Sequence, residues 1–147
     1  MQDVLSGLAF FLHGRREVDS SHIAVMGHSF EGSLAFLVAE HEPSLRAVVV
    51  FGAAGYSWNL SPQLRTCLFN AVKKINVPVM IVNAQNDYSL YPGYALDSIM
   101  NLLDKQHELK IYPAIGKSLT EGHNFLSLGT DTWQVDVLRF LHDAFDD

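Results

Sequence analysis

Cysteine is almost missing from this chain of 147 residues: Cys67 stands alone. No disulfide can form within it, which fits a reducing compartment. Basic residues are scarce too. Ten Lys and Arg stand against 16 Asp and Glu, a formal net charge of −6, and no basic run exceeds the pairs Arg15-Arg16 and Lys73-Lys74. Nucleic acid and anionic membranes are therefore not expected as partners, because a phosphate-binding surface takes a basic patch. No apolar run approaches the ~20 residues that span a bilayer. The segment LAFFL near the start lacks the basic lead and small-residue cleavage site of a signal peptide. A soluble cytoplasmic protein is the expectation. Glycine-rich phosphate loops are missing as well: Gly52-Ala53-Ala54-Gly55 is too short and has no lysine after it. Seven histidines are present, yet no His/Asp/Glu set has zincin or finger spacing, so neither metal nor cofactor is expected. Repeats, low-complexity tracts and linkers do not occur.

What the chain does have is core. Apolar residues make up 48% and charged residues 18%, a globular composition. At this length one domain is expected, burying about two thirds of the surface its unfolded form exposes. Val4, Leu5, Leu8, Phe11 and Leu12 share one helical face, closed by Gly14. A buried strand is expected over residues 22–27, then a helix through Leu34, Ala35, Leu37 and Val38 that must close by Pro43. Residues 46–51, with AVVV at their centre, read as a second strand. Ser61-Pro62 is a cap followed by an N1 proline, opening a helix to about Lys74. A third strand (77–82), a helix (92–103), a fourth strand (108–112) and a closing amphipathic helix (131–145, with Trp133, Val137, Leu138 and Leu141) complete the order. Strand and helix alternate, and the strands are continuous apolar runs. That pattern predicts an α/β fold, a parallel sheet of about four strands covered by helices on both faces.

In such sheets the reactive groups lie beyond the carboxyl ends of the strands. Those ends carry Ser29, the Gly52 turn, Asn86-Asp87, and a loop running from Pro113 to His123. A serine, a carboxylate and an imidazole thus leave three strands on one edge. The residue types suit one chemistry. A serine hydroxyl is a weak nucleophile until a neighbouring imidazole can take its proton. The imidazole needs a carboxylate on its other nitrogen to fix its tautomer and steady the imidazolium. An oxyanion needs donors, and the peptide N–H after the serine, that of Phe30, opens a helix and points at it. Asp97, Asp104 and Asp136 compete with Asp87 as the acid but fall within helices. Phe30, Tyr56, Trp58, Tyr88, Tyr91 and Tyr94 gather after strand ends, either lining an apolar substrate pocket or packing as ordinary core. His28 is expected to point to the other side of the strand, with a supporting role at the site as the alternative. Cys67 is expected in the core rather than as a second nucleophile, and Lys117 and Glu121 in a solvated loop.

The stretch IAVMGHSFEGS nearly spells G-x-S-x-G, the nucleophile elbow, and Ser29, Asp87, His123 is the chain order of α/β-hydrolases. On VDSSHIAVMGHSFEGSLA, VPVMIVNAQND, LKIYP, EGHNF and WQVDVLRFL the chain resembles the C-terminal half of an α/β-hydrolase of the dienelactone-hydrolase-like branch. The resemblance implies a truncated α/β-hydrolase fold with Ser29 as nucleophile, His123 as base then acid, Asp87 as its orienting partner and Phe30 N–H as an oxyanion donor. Two departures stand out. Dienelactone hydrolases proper carry a cysteine nucleophile where this chain has Ser29. Glu31 occupies the place of the second elbow glycine, so it is expected to swing outward, with Gly32 beside it giving the room. The family's earlier strands, and the loop bearing the second oxyanion donor, have no counterpart. His13-Gly14 could mimic that loop, but the segment reads better as helix.

The expected activity is hydrolysis of small carboxylic esters through an acyl-enzyme on Ser29, with short acyl chains preferred. Lactonase or peptidase activity is not separable from it in sequence. A non-catalytic relic acting as a binding module is the alternative. The bare edge beside the elbow strand predicts a homodimer covering it.

Overall fold

The computed structural model describes residues 2–14 and 17–146. The pair Arg15-Arg16 lies outside the described residues, as do the side chains of Phe11 and Leu12, so their expected places are not assigned. Among these residues four strands, β1 (Ala24–His28), β2 (Ala47–Phe51), β3 (Val79–Ala84) and β4 (His107–Tyr112), pair in parallel in the order β1-β2-β3-β4. Among the described residues seven helices accompany them: α1 (Gln2–Gly14), α2 (Phe30–His41), α3 (Pro62–Lys74), α4 (Tyr91–Leu102), α5 (Leu119–His123), α6 (Phe125–Leu128) and α7 (Thr130–Asp146). This is the expected α/β architecture.

Each strand is laid down beside the last in one direction, and right-handed crossovers then place every linking helix on one face. Accordingly α2, α3 and α4, joined by Leu5 and Leu8 of α1, pack with Val48, Val50, Val79 and Ile81. The opposite face is left to α6 and α7, whose Phe125, Val137, Phe140 and Ala144 pack on Ala47, Val49, Phe51, Met80 and Val82. Every residue of β2 and β3 is buried. That explains their unbroken apolar runs, since both side-chain faces meet helices.

Boundaries moved where polar residues had blurred them. β1 begins at Ala24 because Asp19 holds the preceding turn, accepting from Ser21 N–H at 2.9 Å and pairing with His22 Nδ1 at 2.6 Å. β3 starts after Pro78, which has no N–H to give, and runs on through the polar Asn83, in register with Ile111. Ser61 caps α3 by accepting from Leu64 N–H at 3.1 Å, as its sequence signal implied. Cys67 is a correction: it is exposed on α3, whose buried stripe is Leu68, Ala71 and Val72. On α7, Leu138 is exposed, and Phe140 and Ala144 share the buried stripe with Val137. The His13-Gly14 backbone is the last turn of α1, so it forms no oxyanion loop. Tyr91 opens α4, one residue ahead of the expected helix start, and Tyr94 lies within it as the expected helix implied.

Candidate active site

The turn from β1 into α2 carries Ser29 in a conformation rarely held by a side-chain-bearing residue, φ 55° and ψ −112°. Such backbone costs on the order of 1–3 kcal/mol and persists only where its surroundings enforce it. Two constraints do so here. Ser29 N–H donates to Phe51 O at 2.8 Å, extending the β1–β2 ladder past the strand end. Gly27 passes so close to α2 that a Cβ there would sit 2.2 Å from the Glu31 carbonyl oxygen. The tightness falls on Gly27 and on Gly32, where an added Cβ would lie 3.1 Å from that of Ala53. Position 31 is under no such constraint, and the Glu31 side chain is exposed. This accounts physically for a glutamate where the motif has glycine.

Beyond β3, the tight turn closed by Asp87 N–H to Ala84 O (3.1 Å) buries Asp87 to 5% exposure. Its carboxylate takes three donors. Asn83 Nδ2 gives to Oδ2 at 2.9 Å, and Tyr88 N–H gives to Oδ1 at 2.6 Å. His123 Nδ1 lies 2.7 Å from Oδ1, and since a carboxylate only accepts, Nδ1 carries the proton. That tautomer leaves Nε2 as an acceptor, and Ser29 Oγ stands 2.8 Å from it. The structure thus joins Ser29, His123 and Asp87 in one hydrogen-bonded line.

His123 does not sit in an open loop, as the sequence suggested, but ends the short helix α5. Ser118 and Glu121 close a reciprocal capping box at its start, and Glu121 also accepts from Lys117 N–H at 2.8 Å. The Lys117 N–H, with the largest effect, and the hydroxyl and N–H of Ser118 hold the Glu121 carboxyl below its usual range. The S-x-x-E signature was present in the sequence and could have identified this helix. Asn86 ties the same segment down, donating to the Ile115 and Ser118 carbonyls at 2.8 Å. Gly122 is required because a Cβ would lie 2.2 Å from Asn86 O.

Gly52, placed by the sequence at a strand end but given no role there, borders the polar line. At φ +56° it turns the chain just past β2, and a Cβ there would come 2.8 Å from Asp87 Oδ2 and 3.2 Å from His123 Nδ1. Tyr88 lies against the imidazole, ring centroids 4.4 Å apart, with its hydroxyl 3.2 Å from Thr120 Oγ1. It shields His123 from the side.

A cavity of about 480 Å³ opens beside Ser29, lined by Phe30, Ser33, Ala54, Tyr56, Ser57 and Leu64 among others. Phe30 and Tyr56 stand at its mouth, 74% and 73% exposed. The peptide N–H of Phe30 lies in the first turn of α2, where amides have no intrahelical partner. Trp58 is a correction to the expected pocket lining. It is 1% exposed and packs edge-on against Phe69 and Tyr91, supporting the pocket loop from beneath. A larger cavity of about 520 Å³ lies at the amino ends of the strands, around Arg46, Pro78 and Gln106, away from the serine. Among the described residues no cluster of His, Cys, Asp and Glu could hold a metal ion, and no helix is long and apolar enough to cross a membrane.

The sequence profile of the dienelactone hydrolase family matches residues 2–129. No curated protein matches the chain. Among solved structures, esterase B of Lactobacillus rhamnosis, inhibited by a tributyrin phosphonate, is similar with a TM-score of 0.75 and 18% identity over 99% of this chain and 60% of that one. A Pyrococcus furiosus esterase gives a TM-score of 0.74 at 14% identity, covering 96% of this chain and 60% of its own. The Pyrococcus horikoshii acylaminoacyl peptidase gives 0.74 at 15%, covering 95% and 27%. The chain therefore spans 60% or less of the length of these structures, and they share its fold.

Proposed function

The chain belongs to the dienelactone hydrolase family, and from that premise we propose that it is a serine hydrolase of small carboxylic esters. One observation carries the reading: the unbroken line from Ser29 Oγ through His123 to Asp87, with contacts of 2.8 and 2.7 Å. His123 Nε2 takes the Ser29 proton as Oγ attacks the ester carbonyl carbon. Negative charge collects on the carbonyl oxygen, opposite the Phe30 N–H and the N-terminus of α2. His123 then gives its proton to the departing alkoxide, and the acyl group stays on Oγ. A water, deprotonated by His123 in turn, attacks the acyl carbon, releases the acid and restores the serine. Asp87 keeps the imidazole in the productive tautomer throughout, and its three donors hold it still.

Short acyl groups suit the site. The cavity beside Ser29 holds about 480 Å³, with Ser33, Ser57 and Ser61 in its wall, and the tributyrin phosphonate of a fold relative carries four-carbon chains. The test is turnover of p-nitrophenyl acetate, butyrate and palmitate by the wild type and by Ser29→Ala. Acetate and butyrate should exceed palmitate, with all three lost in the variant. Faster palmitate turnover would refute the short-chain reading, and turnover surviving in Ser29→Ala would refute the nucleophile.

A further inference from the structure

His28 precedes the nucleophile in the chain and was expected to face away from the site. Its imidazole instead reaches across to the turn that carries His123. Nε2 stands 2.7 Å from the main-chain carbonyl oxygen of His123, and the two rings lie 4.8 Å apart at 45°. A carbonyl only accepts, so Nε2 bears the proton and donates. Among the described residues two hydrogen bonds join the elbow to this turn: the Ser29–His123 contact and this one.

We propose that His28 is a positioning residue, a strut that sets the height of the His123 backbone above the elbow and thereby the distance from Nε2 to the Ser29 hydroxyl. The assignment rests on Ser29, His123 and Asp87 being the reacting set. The need for a strut follows from the elements. His123 ends a helix of five residues, too short to be rigid by itself. The elbow is pinned to the sheet by Ser29 N–H and Gly27. The strut springs from the pinned elbow, at the residue adjoining the nucleophile, and takes hold of His123 at its own backbone. It acts on the peptide rather than the ring, so both ring nitrogens of His123 stay free for Asp87 and Ser29. The donor is also kept on protonation, since an imidazolium carries a proton on both nitrogens, and the strut therefore does not depend on His28 being neutral.

The experiment compares His28→Leu, which keeps bulk and removes the donor, with His28→Gln, whose amide nitrogen sits at a similar reach. Each is measured by kcat and KM for p-nitrophenyl acetate, by the rate of labelling with a fluorophosphonate, and by thermal midpoint. The leucine variant should lose about 10- to 100-fold in kcat and labelling rate, the scale set by sub-ångström to 1 Å misplacement of a reacting group. KM should stay as in the wild type, and the glutamine variant should recover most of the loss. His28→Asn, with its amide pulled back out of reach, replaces the leucine variant if that one does not fold. Equal kcat in wild type and leucine variant, or equal losses in leucine and glutamine variants, would overturn the strut while leaving the Ser29 assignment intact. A wild type that neither turns over ester nor takes the label would overturn both, and would show it before any variant is made.

Discussion

The polar line works only because small residues keep clear of it. Gly52 is the sharpest case: it combines a left-handed φ of +56° with a Cβ position 2.8 Å from Asp87 Oδ2. Gly52→Ala should cost about 1–2 kcal/mol of stability from the backbone alone. It should slow ester turnover by on the order of 100-fold as the methyl group displaces the Asp87–His123 pair. Denaturant melts and p-nitrophenyl acetate kinetics check the two effects, and a folded variant with wild-type kcat would contradict the packing described. At this scale the sequence put Ser29 and Asp87 just past strand ends and His123 in the segment after β4, and the structure brings the three into hydrogen-bond contact. The sequence concealed what surrounds them. Gly52 and His28 act through approaches between residues far apart in the chain, and Asn83, a polar residue inside a buried strand, makes sense only beside Asp87. Trp58 and Cys67 went the other way, one into the core and one out to solvent, because loop aromatics and helical cysteines are not assigned a face by type.

Among the elements, α5 is the one on which the site most depends, and like α6 it is one that periodicity could not reveal. Five residues are less than two turns, so no apolar stripe develops. Its start is fixed by Glu121, which accepts from Lys117 N–H and from both the N–H and hydroxyl of Ser118. Those donors favour the charged carboxylate, so its folded-state pKa lies below the ordinary value of 4.5. A carboxylate lowered in this way contributes above its unfolded pKa, and the contribution is lost as pH falls through the lowered folded value. The difference in thermal midpoint between wild type and Glu121→Ala should therefore be constant from neutral pH down to about 5, then shrink in stronger acid. A gap that stays unchanged down to about pH 3 would contradict the capping account. At pH 7 the variant should also lose kcat, because His123 is the last residue of the helix it loosens. The longer elements were plain from pattern. Continuous apolar runs marked β2 and β3, and the Ser61-Pro62 start marked α3, since each is governed by local propensity and two-sided burial.

In the whole molecule, the ordered sheet leaves β1 and β4 as its edges. β1 carries the elbow, and Met26 within it is 44% exposed. A strand edge with exposed apolar side chains is a template for pairing, and α1 adds an exposed Val4. A second copy of the chain covering this edge is proposed, so light scattering at micromolar concentration should report a dimer and Met26→Lys should shift it toward monomer. A monomeric wild type would contradict that assembly. That the sheet is parallel followed from sequence, because continuous apolar strands alternate with helices.

The central claim is that Ser29 is an activated nucleophile, and intact mass after exposure to a fluorophosphonate tests it most directly. Wild type should gain the mass of a single phosphonyl group while Ser29→Ala gains none. A folded wild-type protein that takes no label, or a Ser29→Ala variant that labels equally well, would contradict it.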